Sequence, residues 1–214
     1  MNNLTPKQRI ERAHVSMMTH PATMLYSAIL MVGSTTVDDS VPTAATNGRD
    51  VVYGESFLAG LTDPQIVGLV LHENLHKVYQ HHWLWKSLWV ENAKLANMAA
   101  DFVINLEIVD LQSSFPSFIQ LPPGGLYSES YRGMNTKDVF EKLKQSGDSG
   151  GSSFDEHDFT QLSEEEQTSV VREIDQAIRQ GIMLAGKQNG DVSLSMASLV
   201  EPKVNWREQM SEFM

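Results

Sequence analysis

Apolar residues recur along the chain at the spacing of buried helices. The longest run covers residues 66–71 and is followed, after a polar interval, by Val78. Thr62, Pro64 and Gln65 mark its start, with a capping threonine, a proline in the first turn and a glutamine that completes a capping box. Similar patterns predict further helices, at residues 4–20, 22–32, 91–109, 135–144, 163–186 and 193–199.

The pattern changes to strands and turns ahead of the helix that begins near Thr62. Asn47-Gly48 is a strong signal for a tight turn, and residues 43–46 and 50–53 flank it as two paired strands. The second strand is rich in β-branched and aromatic side chains, which prefer strands. We therefore expect an α+β fold that is mostly helical, with a small sheet or hairpin preceding the long apolar helix.

Composition and charge narrow the class of protein. The 214 residues carry 16 Lys+Arg against 27 Asp+Glu, and the formal net charge of −11 argues against general nucleic-acid binding. Because the chain has no cysteine, disulfides and thiolate metal sites are excluded, and a reducing, cytoplasmic compartment is expected. No apolar run approaches the length of a membrane span, so we expect no membrane partner.

The sequence His72-Glu73-Asn74-Leu75-His76 follows the longest apolar run and reads H-E-x-x-H. Two histidines four residues apart project from nearly the same face of a helix, so both imidazoles can reach one ion. Glu73 lies beside that face, where it can take a proton from the water that a metal activates. The alternative is a helix with surface histidines. It is less favoured because these imidazoles follow a wholly apolar stretch and would need a partner there.

Two histidines and a water leave a tetrahedral zinc ion one protein ligand short. Asp101 is the candidate, because it stands beside Ala99-Ala100 in a second apolar helix, where an unpaired acid is costly to bury. His81 is the rival, although in an unbroken helix it would lie about half a turn away from His72. Asn105 shares the face of Asp101 and could orient its carboxylate. The pattern thus favours one Zn²⁺ held by the histidine pair and Asp101.

Several sequence pieces form an ordered set that extends over most of the chain. They are residues 41–49, His72-Glu73-x-x-His76 with His81, Ala99-Ala100-Asp101-x-x-Ile104-Asn105, residues 121–134 and residues 202–208. Together they resemble the metallopeptidase domain that usually precedes a von Willebrand factor A-like domain in bacterial and phage proteins. This resemblance implies a zincin-like fold and a zinc-dependent peptidase acting on peptides or proteins, without defining the substrate.

The resemblance also leads to expectations for the rest of the chain. We expect residues 1–190 to form the zincin-like domain, and residues 191–214 to be a tail that docks onto it or leads to an A-like domain. In zincins, an edge strand upstream of the metal helix binds substrate by strand addition. Residues 50–54 are the candidate strand, with an ordinary internal hairpin as the alternative. His157 could stabilise the developing oxyanion, or be an exposed loop histidine.

Two classes of function follow from these residues. The first is a zinc peptidase in which Glu73 is the general base and His157 assists. The second is a non-catalytic module that keeps a structural zinc ion and acts as an adaptor to an ATPase or an A-like partner domain. Glu73 discriminates between the two classes, since a structural zinc site needs no general base.

The tryptophan cluster at residues 83–89 is expected to pack helices together, in preference to a role in substrate binding.

Overall fold

A computed structural model describes residues 4–147 and 162–187 and shows a mostly helical α+β fold, which confirms the predicted class. The helices are α1 (Pro6–Thr19), α2 (Glu55–Ala59), α3 (Asp63–Val78), α4 (His81–Leu84), α5 (Lys86–Ser114), α6 (Thr136–Ser146) and α7 (Glu164–Lys187). The strands are β1 (Thr35–Val37), β2 (Ala44–Thr46) and β3 (Val51–Tyr53). The helix predicted at 193–199 and the tail at 191–214 lie outside the described residues.

Helix α3 runs through the centre of the fold. Every residue from Ile66 to Val78 is buried, so the helix needs neighbours on all sides. It has them in α1, α5, α7 and strand β2. Its first turn is fixed as the sequence predicts, with Pro64 inside the helix and the Thr62 amide donating to Gln65 Oε1 at 2.9 Å.

The sheet has the strand order β1-β3-β2, with β1 parallel and β2 antiparallel to β3. The predicted hairpin of β2 and β3 is confirmed, and Asn47 Oδ1 closes its turn by accepting from the amides of Arg49 and Asp50. The prediction that residues 50–54 form an edge strand is wrong. β1 adds to the other side of β3, which places β3 in the middle, and the edge strand that contacts α3 is β2.

The helix predicted at residues 22–32 is wrong in type. The segment forms two 3-10 turns, Met24–Tyr26 and Ile29–Met31. Backbone amides in it bond to carbonyls three residues back, as from Tyr26 to Thr23 at 2.9 Å. The side chains are apolar because α1, α3 and α7 pack around the two turns. The apolar residues at 22–32 therefore indicate that the segment is buried, and they do not indicate an α-helix.

Helix α5 is bent at Asn92, whose backbone angles of φ −158° and ψ 94° are not helical. Asn92 Oδ1 accepts from the Leu95 amide at 3.0 Å and so caps the second part of α5, which begins close to the predicted start at 91. α5 and α6 pack together in a second apolar core, and Trp85 and Trp89 lie against it. This contact supports a packing role for the tryptophan cluster.

Replacing Gly181 with alanine is expected to destabilise the fold, because α7 passes very close to the first 3-10 turn there. A Cβ at Gly181 would lie 1.7 Å from the Leu25 carbonyl oxygen, so the backbone would have to shift. We expect a loss of roughly 1–3 kcal/mol or more in the free energy of unfolding, measured by urea denaturation.

Gly186→Ala is the matched control, since it lies in the same helix and a Cβ there meets no heavy atom within 4 Å. It is expected to be neutral or to stabilise by up to about 1 kcal/mol through helix propensity. Equal stabilisation by both alanines would contradict the close contact between α7 and Leu25.

Candidate metal centre

His72 and His76 come from the second half of α3, with His76 in its last turn, and both are fully buried. Their spacing of one helical turn brings the rings together, with ring centroids 4.9 Å apart and the two Nε2 atoms 3.2 Å apart. Both rings therefore direct their Nε2 atoms toward one point, as the H-E-x-x-H pattern predicts.

Asp101 reaches the same point from α5. The neighbouring Ala99 and Ala100 are fully buried, and α5 packs against α3. Asp101 is itself 0% exposed, and its Oδ1 lies 3.6 Å from His72 Nε2 and 3.4 Å from His76 Nε2. The carboxylate and the two imidazoles thus form one cluster that could hold a metal ion.

The separations within this cluster fit a tetrahedral metal site. Ligand atoms held about 2.0–2.1 Å from a zinc ion at tetrahedral angles lie about 3.3–3.4 Å from one another. The three distances between His72 Nε2, His76 Nε2 and Asp101 Oδ1 are 3.2, 3.4 and 3.6 Å. One ion can therefore contact all three atoms with little movement of the side chains.

A hydrogen bond from α5 sets the orientation of His72. Asn105 Nδ2 donates to the Leu126 carbonyl at 2.9 Å, which turns the amide so that its Oδ1 faces His72 Nδ1, also at 2.9 Å. The proton of the neutral ring then sits on Nδ1, and the Nε2 lone pair points into the cluster. Asn105 therefore orients His72, whereas the sequence predicted that it would orient Asp101.

Residues 5–167 match the family described as "Putative metallopeptidase domain". The chain belongs to this family. The matched range covers most of the chain and contains the whole cluster of His72, His76 and Asp101. No curated protein and no solved structure matches the chain significantly. In the described part of this metallopeptidase-family chain, no helix is long and apolar enough to cross a lipid bilayer.

Two further buried residues, Tyr53 and Lys77, interact electrostatically with Glu73, which is fully buried on α3. Tyr53, at the end of β3, is also 0% exposed, and its hydroxyl has no hydrogen-bond partner among the described residues. Burial and the charge of Glu73 raise the pKa of Tyr53 well above its usual range. The sequence predicted a strand at Tyr53, but nothing in the sequence marks its hydroxyl as a neighbour of Glu73.

Lys77 is a buried cation next to the histidine pair in the chain. Its Nζ donates to the Val32 carbonyl at 2.9 Å. Burial lowers the pKa of Lys77 to about 8, although the carboxylates of Asp50 and Glu73 favour its charged form. The sequence did not reveal this residue, because a lysine near the end of a helix is ordinarily exposed. Glu73 therefore lies within electrostatic reach of a positive charge on its own helix.

His81 lies beside the cluster but does not join it. Among the described residues, the group of ligand atoms that could hold an ion consists of His72, His76 and Asp101. His81 instead contacts His76 on the far side of its ring, with the two Nδ1 atoms 3.1 Å apart. The geometry thus favours Asp101 over His81 as the third ligand. His157, the proposed oxyanion contact, lies outside the described residues.

Proposed function

We propose that this protein is a zinc-dependent peptidase with a zincin-like fold. His72, His76 and Asp101 hold the zinc ion, and Glu73 is the general base. The observation that carries the proposal is the triangle of two imidazole nitrogens and one carboxylate oxygen at separations of 3.2–3.6 Å, fully buried beside Glu73. The family to which residues 5–167 belong supports a peptidase rather than another hydrolase.

The chain's own residues supply the remaining steps of hydrolysis. A zinc ion held by these three ligands would supply an acidified water molecule and a polarised peptide carbonyl. Glu73 accepts the proton of that water and later delivers it to the leaving amine, since the same carboxylate serves as base and then as acid. His157 is proposed to hydrogen-bond to the oxygen on which negative charge develops, and the Tyr53 hydroxyl is a second candidate for this contact.

The substrate strand is proposed to be β2, which contacts α3 at the edge of the sheet. The Gly54 amide donates to the Thr43 carbonyl, so the backbone N–H and C=O of Thr43 face β3. Because these groups alternate in direction along a strand, those of Ala44 point away from β3. On that same side, the Thr46 carbonyl accepts from His82 Nε2 at 2.9 Å. An extended peptide aligned along Ala44 would run past the histidine-bearing side of α3.

Zinc is proposed over iron, although two histidines and one carboxylate also suit non-haem iron. The buried general base next to His72 is a feature that hydrolysis uses and that iron-dependent oxygen chemistry does not require.

We further propose that the domain extends over residues 1–190 in a cytoplasmic protein, with residues 191–214 as a tail toward a partner domain or ATPase.

Metal analysis of the purified protein tests the proposed site. Wild type is expected to contain one zinc ion per chain, and the single variants His72→Ala, His76→Ala and Asp101→Ala are expected to lose most of it. His14→Ala is the control, because that histidine lies on α1 and is not among the ligand atoms of the cluster. Full zinc content in Asp101→Ala would remove Asp101 from the ligand set, and iron in place of zinc would overturn the proposed chemistry.

A further inference from the structure

A chain of buried side chains extends from His76 away from the metal cluster. His76 Nδ1 lies 3.1 Å from His81 Nδ1, and His81 Nε2 lies 3.1 Å from Thr136 Oγ1. His76 is 0% exposed, His81 1% and Thr136 5%. Thr136 is the first residue of α6, so these contacts connect α3, α4 and α6 at the back of the cluster.

The direction of the hydrogen bonds follows from the position of the ion. His76 presents Nε2 to the cluster, so its ring proton must sit on Nδ1 and be donated to His81 Nδ1. His81 then carries its own proton on Nε2 and donates it to the Thr136 hydroxyl oxygen. Each ring has one tautomer that allows both of these hydrogen bonds to form. For His76, that tautomer leaves the Nε2 lone pair available to a metal.

The backbone departs from its ordinary conformation to bring His81 into this position. Gln80 adopts φ 51° and ψ 38°, a left-handed conformation that side-chain-bearing residues rarely take. In a continuous helix, His81 would point away from His76, whereas the left-handed residue ends α3 and turns the chain back. Gln80 is held by its own contact with Asp175 of α7, and Trp89 Nε1 donates to the His81 carbonyl at 3.2 Å.

We propose that His81 and Thr136 are positioning residues that fix the tautomer and ring orientation of His76 and thereby set the affinity of the site for zinc. This inference rests on the proposed function, because it assigns the two residues a role toward the same ion. Contacts of this kind typically change metal affinity by about 10–100-fold. Asn105 does the same for His72 from the other side, so both ligand imidazoles are oriented through Nδ1.

Zinc dissociation constants, measured by competition with a chelator, test the proposal. His81→Phe and Thr136→Val are expected to weaken zinc binding by about 10–100-fold and by about tenfold, respectively. Thr136→Ser keeps the hydroxyl and should bind as wild type does. His20→Phe is the control, since His20 ends α1, stacks on Phe118 with ring centroids 3.8 Å apart and is not among the ligand atoms of the cluster, so its zinc affinity should be unchanged.

Nitrogen-15 NMR of the zinc-loaded wild type gives a second readout that does not depend on any substitution. Protons are expected on His76 Nδ1 and His81 Nε2, and a proton on His81 Nδ1 would overturn the proposal. So would equal affinity of wild type and Thr136→Val, even if His81→Phe failed to fold. Failure of wild type itself to bind zinc would instead overturn the proposed function.

Discussion

Changing Glu73 to glutamine is expected to abolish peptide hydrolysis while the protein keeps its zinc and its fold. The amide has nearly the size of the carboxylate, so the packing around this fully buried side chain is preserved. It cannot accept a proton near neutral pH, so the attacking water is no longer deprotonated. Removal of a general base typically lowers the rate by about 10²–10⁴-fold, and cleavage of an unbiased peptide library at matched zinc content measures the loss.

Glu107→Gln is the matched control for this experiment. Glu107 is a partly buried carboxylate on α5 that accepts hydrogen bonds from the hydroxyls of Tyr26 and Tyr79, and it is not one of the metal ligands. Its replacement should change stability and leave hydrolysis unchanged. Equal cleavage by wild type and Glu73→Gln would assign the activity to another base or a contaminant. Zinc binding without any cleavage by wild type would favour the non-catalytic adaptor.

Removal of zinc is expected to lower the melting temperature by about 10 °C. The ion binds only the folded chain, in which α3 and α5 bring three buried ligands together, and at a free concentration of about 1,000 times the dissociation constant it stabilises by about 4 kcal/mol. For a domain of about 200 residues, each kcal/mol corresponds to roughly 2–4 °C. Thermal melts with and without a chelator measure the shift.

Asp101→Asn serves as the control for the melting experiment. It keeps the size of the side chain and removes the charged ligand, so its melting temperature should be nearly the same with and without chelator. A wild-type protein that melts at one temperature under both conditions would show that the site adds nothing to stability.

Local sequence signals predicted the elements that carry the site. The capping residues and the apolar run located α3, the turn at Asn47-Gly48 located the hairpin, and the cost of burying an acid beside two alanines pointed to Asp101. These predictions are correct because a helix cap, a tight turn or the buried face of a helix is determined by residues only a few positions away in the sequence.

The features that the sequence could not predict depend on contacts between distant segments. The three residues of β1 are too short to show alternation, yet their pairing moves β3 from the edge to the centre of the sheet. The partner of Asn105 was misassigned because the rotation of α5 against α3 decides whether the amide meets His72 or Asp101. The left-handed Gln80 gives no local signal, and its contact with Asp175 spans 95 residues.

The distances along the chain between the groups of the site have a consequence for how the domain assembles. Along the chain, 33 residues separate His72 from Asn105, and 55 separate His81 from Thr136. The contact between Gln80 and Asp175 of α7 joins residues that are 95 apart. The entropy lost in closing a loop grows slowly with its length, but contacts between near segments still form sooner than those between far ones. The ligand-bearing helices α3 and α5 can therefore pair before α7 docks, so that α7 would join the fold late.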